Sequence, residues 1–446
     1  WLLSLSQPLI SPGSSRGPQT STPAAMGAGR SRSVGQGLPS ESQVAEALAP
    51  LRGRLVLCSG ERGEVVVYKL DEAGAPVLRP VEKAEKVEGS TAVEWLVVHP
   101  VLPRLYALSS FWKPMSKVRA AQTRHGELNV FGIDAATGSL SRLASLDSGG
   151  HQPCAGTCSP DGSLLAVAHY LDGRVSVFPL DGSGNPVAEG ARVLRLPWKQ
   201  GKEVSDAERL MDGVTGPLCH GLAFSPSGRW IATCDAGQGR IVVFPASASD
   251  GAEATVADVL SAPPAGRIQL RIARRFGQRP RHAAFHPSGR YIYVLHECAN
   301  RVTAHTFDEQ TGTVGQAFQD LASGAIQDAC CLCMAGASAA AEIAASADGS
   351  CLLVSNRGIR SGSSLASFAI TEAGRLEPRS QTSALGKSPR HFLLHGSLLL
   401  AGLECSGALG AFACGGDGRL APLASLELGK ELSEKGPMCV QLFPAS

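Results

Sequence analysis

Large aromatic residues are scarce in this chain, with 5 Trp and 5 Tyr against 51 Gly. Charge is sparse too, 18% of residues, and nearly balanced at a formal +2. That balance removes the electrostatic case for a nucleic acid or an anionic membrane surface as partner. No apolar run approaches the ~20 residues that a membrane-crossing helix needs. Several enzyme signatures are absent as well from residue 46 onward: no GxSxG elbow (the one match to that pattern, at 13–17, falls in a Ser-, Gly- and Pro-rich stretch), no GxxxxGK[ST] phosphate loop, no HExxH helix and no dinucleotide fingerprint. Their absence argues against elbow-type serine hydrolases, nucleotide triphosphatases and zincins.

The 13 cysteines do not supply a disulfide framework, because most stand singly inside apolar runs (Cys58, Cys234, Cys298, Cys351, Cys439). Such thiols read as small buried hydrophobes in a reducing compartment. Cys330, Cys331 and Cys333 cluster in DACCLCMAGASAAA, where a metal site would need a fourth ligand and a wider spacing. They read as a buried or loop thiol cluster, and neither a metal nor a cofactor is expected. Residues 1–45 are rich in Ser, Gly and Pro, carry Arg16, Arg30 and Arg32, and have no acid before Glu41. A segment of that kind buries no core and is expected to be disordered. Its composition also fits a transit peptide, the alternative being a non-native start, with Met26 as a candidate initiator.

What is present is a repeat. A turn followed by an apolar strand recurs as HPVLPRLYAL (99–108), SPDGSLLAVA (159–168), SPSGRWIATC (225–234), HPSGRYIYVL (286–295), SADGSCLLVS (346–355) and HGSLLLAG (395–402). A third strand follows each, as in GRVSVFPLD (173–181) and GRIVVFPAS (239–247). The period leaves room for a fourth, and four-stranded units repeated about an axis make an all-β propeller. RLVLCSG (54–60) and GEVVVYKLD (63–71) lack an inner strand of their own, which KGPMCVQLFPAS (435–446) can provide. Six units plus this composite predict seven blades over 46–446, closed by the C-terminal strand so that no sheet edge stays open.

In a blade, the start of the innermost strand and the end of the next reach one rim of the central channel. RPRHAAFHPSGRYIYVLHE (279–297) therefore sends Arg281, His282, His296 and Glu297 to one mouth. Equivalent places hold His220, Glu342, Asn356, Arg357, Arg390 and His391. Convergent polar groups in a concavity are the mark of a ligand site. His99 and His286 occupy a turn place that Ser fills elsewhere and are expected to serve the turn.

RPRHAAFHPSGRY, the AEI at 341–343, SNRG at 355–358, GKSPRHF at 386–392 and GPM at 436–438 resemble the seven-bladed lactonase family. That family contains propeller-type 6-phosphogluconolactonases and carboxymuconate-cyclising enzymes. The resemblance spans about 54–446 and implies a metal-free site, with His220, Arg281, Glu297 and Arg357 as its catalytic residues. His220 or Glu297 would act as base, and Arg281 and Arg357 would hold anion and oxyanion. His282, Glu342, Asn356, Arg390 and Lys387 would bind substrate. A small anionic lactone as partner, a monomer, and a cytoplasmic place in the pentose phosphate pathway go with this reading. Plastid or mitochondrion is the alternative if 1–45 is a transit peptide. Two departures stand out, since Ala155 and Ala344 replace family histidines expected at the rim. They keep a second class open, a non-catalytic scaffold or ligand-binding propeller.

Overall fold

The computed structural model describes residues 39–71, 77–111, 124–198, 216–259, 279–324, 339–358, 363–432 and 436–443. They form seven antiparallel sheets, each of at least four strands. Six sheets are built from consecutive strands. The first combines Leu55–Ser59, Glu64–Asp71 and Val77–Pro80 with Val440–Phe443 from the far end of the chain. Taking that composite as blade 1, the inner strands of blades 2 to 7 are Ala92–Val98, Pro153–Cys158, Cys219–Phe224, Pro280–Phe285, Ala339–Ala345 and Pro389–His395. The seven-bladed, C-terminally closed propeller expected from the repeat is therefore the fold.

Local chemistry makes each blade. In blade 3 the turn SPDG places Gly162 at φ 72°, a left-handed conformation that glycine adopts at little cost, and Gly228, Gly289 and Gly349 repeat it. The Asp161 carboxylate accepts the Ser163 backbone N–H at 3.0 Å, which pins that turn. His99 and His286 are indeed turn residues, and they also link blades: each Nε2 donates to the carbonyl of the next blade's turn glycine, Gly162 or Gly349, at 3.0 Å.

The second and third strands are buried on both faces, as in Leu164–His169 and Arg174–Pro179, while fourth strands such as Leu140–Asp147 are partly exposed. The core lies in the seams between sheets. Between blades 5 and 6, Tyr293, Leu295, Val302 and Ala304 pack on Ile343, Leu352, Val354 and Phe368. At the closure, Leu55 pairs with Phe443 and Cys58 with Val440, and Val440 packs with Val56, Tyr68, Leu400 and Leu409. Each such large apolar side chain contributes about 1.5–3 kcal/mol by burial.

One boundary differs from expectation. The helix Glu41–Ala47 begins inside the stretch 1–45 expected to lack structure and runs just past its end, with Ser40 and Gln43 forming a capping box and Val44 buried. Val44 and the following Leu48 and Leu51 join the core cluster at the closure, which is why this end of the segment folds. Cys330, Cys331 and Cys333 lie outside the described residues. Among the described residues, no helix is long and apolar enough to cross a membrane.

Candidate functional site

A register slip recurs at the same place in six inner strands, and it builds the site. The pairing of inner with second strand shifts between Val93 and Trp95, between Pro280 and His282, and between Pro389 and His391. Blade 3 shows it around Cys154, where Ala168 pairs with Ala155 but His169 with Pro153. In blades 4 and 6 it falls between Cys219 and Leu222 and between Ala340 and Ile343. A bulge inserts an unpaired residue and re-aims its side chain. The bulged residues, Glu94, Cys154, Arg281 and Arg390, with His220 in the blade 4 slip, thus gather around the axis. The residues that follow, Trp95, Ala155, His282 and His391, with Glu342 from blade 6, form a second layer beneath.

The upper layer is held by ion pairs between blades. Glu297, at the end of the second strand of blade 5, accepts a hydrogen bond from Arg357 of blade 6, and Arg281 Nε lies 3.9 Å from the same oxygen. Arg281 also donates to the Ala341 carbonyl. Arg390 of blade 7 donates to Glu94 of blade 2 at 3.1 Å, and its other terminal nitrogen lies 3.4 Å from Glu404. Glu404 accepts Ser388 Oγ at 2.7 Å, and Glu94 accepts Ser110 Oγ at 3.1 Å. His220 packs on His282 at 5.1 Å between ring centroids and on Tyr170 at 5.5 Å.

In the lower layer, His282 Nδ1 donates to Glu342 at 2.9 Å. His391 Nδ1 accepts the Val440 backbone N–H at 3.3 Å, so its Nε2 faces Glu342 from 3.9 Å. The Trp95 ring stands 5.4 Å from His282 and 4.7 Å edge-on to His391, and its Nε1 donates to the Gly156 carbonyl at 2.8 Å. Below this layer a cavity of about 460 Å³ continues down the channel, lined by Trp95, Ala155, Phe224, His282, Glu342 and Gln441.

Burial sets the protonation states. It holds the His220 imidazole well below its usual range, helped by the nearby Arg281, His282, Arg390 and Arg357. Burial likewise lowers His282, and lowers His391 to about 4. These imidazoles are neutral at pH 7. Burial would raise the Glu297 carboxyl, but Arg357, Arg279 and Arg281 outweigh it and hold it at about 2. Burial would also raise Glu404, and Arg390 and Arg357 outweigh it. Arg281 is lowered to about 10 by burial and by Arg357, and remains charged. Several buried polar atoms here make no hydrogen bond to the protein, namely His220 Nδ1, Arg281 Nε, His282 Nε2, Glu342 Oε2 and Arg357 Nε. Leaving a buried polar atom unmade costs about 1–3 kcal/mol, so such a concentration in one spot marks a place prepared for a polar ligand.

The structure brings together His220, Arg281, His282, Glu297, Glu342, Arg357, Arg390 and His391. Others fall elsewhere. His296 does not face the mouth, because its Nε2 meets Thr303 Oγ1 at 3.0 Å within its own blade. Asn356, expected to bind substrate, is likewise spent on Ser323, through two hydrogen bonds of 2.8 Å. The reason is the pleat: successive residues point to opposite faces, so where Glu297 and Arg357 face the axis, His296 and Asn356 cannot. Lys387 is exposed in the turn ahead of its strand, outside the buried cluster. Ala155 lines the cavity of the lower layer, whereas Ala344 packs against the apolar cluster of Leu353, Leu365 and Phe392.

Sequence reasoning missed Glu94, Glu404, Trp95 and Tyr170. Two had a signal. The Glu297–Cys298 pair recurs as Glu404–Cys405, and Glu94 precedes WLVVHP as Arg281 precedes HAAFHP.

The buried, partly unsatisfied array of imidazoles, guanidinium groups and carboxylates at the axis of this seven-bladed ring is the candidate ligand site of the propeller. Residues 55–442 match the family described as "Lactonase, 7-bladed beta-propeller", and the chain belongs to that family. It is 27% identical to the 6-phosphogluconolactonase of Bacillus subtilis (strain 168) over 325 residues, 71% of this chain and 81% of that protein. It is 25% identical to the 6-phosphogluconolactonase of Formosa agariphila over 282 residues, 63% of this chain and 71% of that one. Among solved structures, the periplasmic gluconolactonase of Pseudomonas aeruginosa superposes with a TM-score of 0.62 at 21% identity, covering 88% of this chain and 99% of the other.

Proposed function

We propose that this protein hydrolyses a sugar lactone at the upper layer, with 6-phosphogluconolactone as the substrate. The observation that carries the reading is the meeting of a neutral His220 with Arg281, Glu297 and Arg357 around one opening. Neutral His220 accepts a proton from water as the water attacks the lactone carbonyl. Arg281 and Arg357 face the oxygen on which negative charge develops, and such donors are worth about 100- to 1,000-fold each. As the ring C–O bond breaks, the imidazolium returns its proton to the leaving hydroxyl. Glu297, held near pKa 2, is too weak a base for the first step, and its role is to fix the two guanidinium groups.

The names of the curated relatives support a phosphorylated substrate, as does the presence of Arg279, Arg281, Arg357 and Arg390 around the opening. Ten free cysteines among the described residues support a cytoplasmic address. The test is to follow hydrolysis of 6-phosphogluconolactone beside unphosphorylated gluconolactone, above the spontaneous rate, with Arg357→Ala as control. Preference for the phosphorylated compound, lost in the variant, is expected. Equal turnover of both would remove the phosphate from the proposal. Absence of turnover with either would replace the enzyme with a ligand-binding propeller.

A further inference from the structure

A second cluster of chemically capable side chains lies off the axis, at the seam of blades 2 and 3 on the same face as the mouth. His125 stands two residues ahead of the strand Glu127–Ile133, and Asp147 ends the strand Leu140–Asp147. His151 precedes the inner strand Pro153–Cys158, and Asp172 lies between Leu164–His169 and Arg174–Pro179. Four separate stretches of chain therefore converge there.

The geometry points to a metal site formed by His125, His151 and Asp172, and we propose that it takes a zinc-class divalent cation. One ligand atom from each residue lies within 4.8 Å of the others. Zinc bonds to imidazole and carboxylate at about 2.0–2.2 Å, which asks for ligand atoms roughly 3.3 Å apart. His151 Nδ1 and Asp172 Oδ2 already stand at 3.1 Å. His125, the half-buried member, has to move by about an ångström or more to complete the set at that bond length. The two imidazoles meet edge to face, 4.7 Å between centroids at 89°.

Asp147 supplies the supporting contact. Its carboxylate lies 2.9 and 3.0 Å from His125 Nδ1. An imidazole held that way has its tautomer and ring plane set and presents Nε2 as the ligand nitrogen. The donor set fits as well. Two imidazoles beside one carboxylate suit a borderline dication rather than a hard one, and Arg174 Nε, 3.4 Å from Asp172 Oδ2, fixes that carboxylate. Three protein ligands leave a further position for water, and the role that follows from the location is to clamp the two blades.

Titration of the metal-free full chain with Co²⁺, followed by competition with Zn²⁺, tests the site. The wild type is expected to bind one equivalent of Co²⁺ with visible d–d bands and no sulfur-to-cobalt charge transfer, and to melt higher with Zn²⁺ present. His125→Ala should abolish the bands, and Asp147→Asn should weaken binding by about 10- to 100-fold. Both residues are at least partly exposed, so these variants keep the fold, and melting without metal confirms it. Absence of saturable binding, a thiolate charge-transfer band, or unchanged binding in His125→Ala would each overturn the proposal.

Discussion

The Glu297 carboxylate accepts a hydrogen bond from Arg357, 60 residues further along and on the next blade. The same oxygen lies 3.9 Å from Arg281 on its own blade. One carboxylate thus sets two guanidinium groups whose charges would otherwise repel. Breaking a buried ion pair by removing one partner costs about 3–5 kcal/mol. Glu297→Gln should accordingly lower the unfolding free energy by an amount of that order and reduce lactone turnover sharply. Urea denaturation beside steady-state rates checks it, and a variant with wild-type stability and rate would show the pair to be dispensable.

Removing the base and removing the oxyanion donors should have different sizes and should not add. His220→Ala is expected to lower kcat by about 100- to 10,000-fold, and Arg281→Ala by about 100- to 1,000-fold. Because the two act on one transition state, the double variant should fall short of the product. Undiminished turnover in both single variants would take the chemistry away from this mouth.

Stability should fall as the solution is acidified below neutral. Burial holds His169 and His391 at about 4 and His296 at about 3, against about 6.5 in an unfolded chain. Between those values the unfolded state binds more protons than the folded one, so stability is complete above pH 6.5 and declines toward pH 4. Carboxylates such as Glu297 extend the loss below that. Urea midpoints at pH 7.5 and pH 5 measure the slope, and His391→Gln should flatten part of it. A midpoint that does not change over this interval would contradict the buried neutral imidazoles.

Ring closure should be essential. Truncation before Gly436 removes Val440–Phe443, which pairs with Leu55–Ser59 and places Cys439, Val440 and Phe443 in the core. The open edge of blade 1 would then be free to pair with another chain. The truncated protein is expected to aggregate, or to lose its cooperative transition. A monomeric product with a sharp melt near the wild-type temperature would refute the closure argument.

The bulged inner strands explain why part of the site was legible in the chain and part was not. Arg281, Arg390 and His220 could be placed at the rim because each lies a fixed number of residues before a turn such as HPSG or SPSG, and turns are local. The choice between His296 and Glu297, or between Asn356 and Arg357, could not be made that way. Each pair is consecutive, both members are polar, and the pleat direction depends on a register slip in the strand beside them.

The order of residues alone determined the blades: their number, their turns, and the return of the last strand to the first. These follow from short-range preferences, from turns with glycine at positive φ in most blades and from apolar strands in every one. The tertiary structure decided which charges meet. Arg357 finds Glu297, and His125 lies beside His151, only once neighbouring blades pack, and Glu94 finds Arg390 only once the ring has closed. Such pairings depend on a bulge's aim and a neighbouring blade's height, which no local stretch of chain encodes.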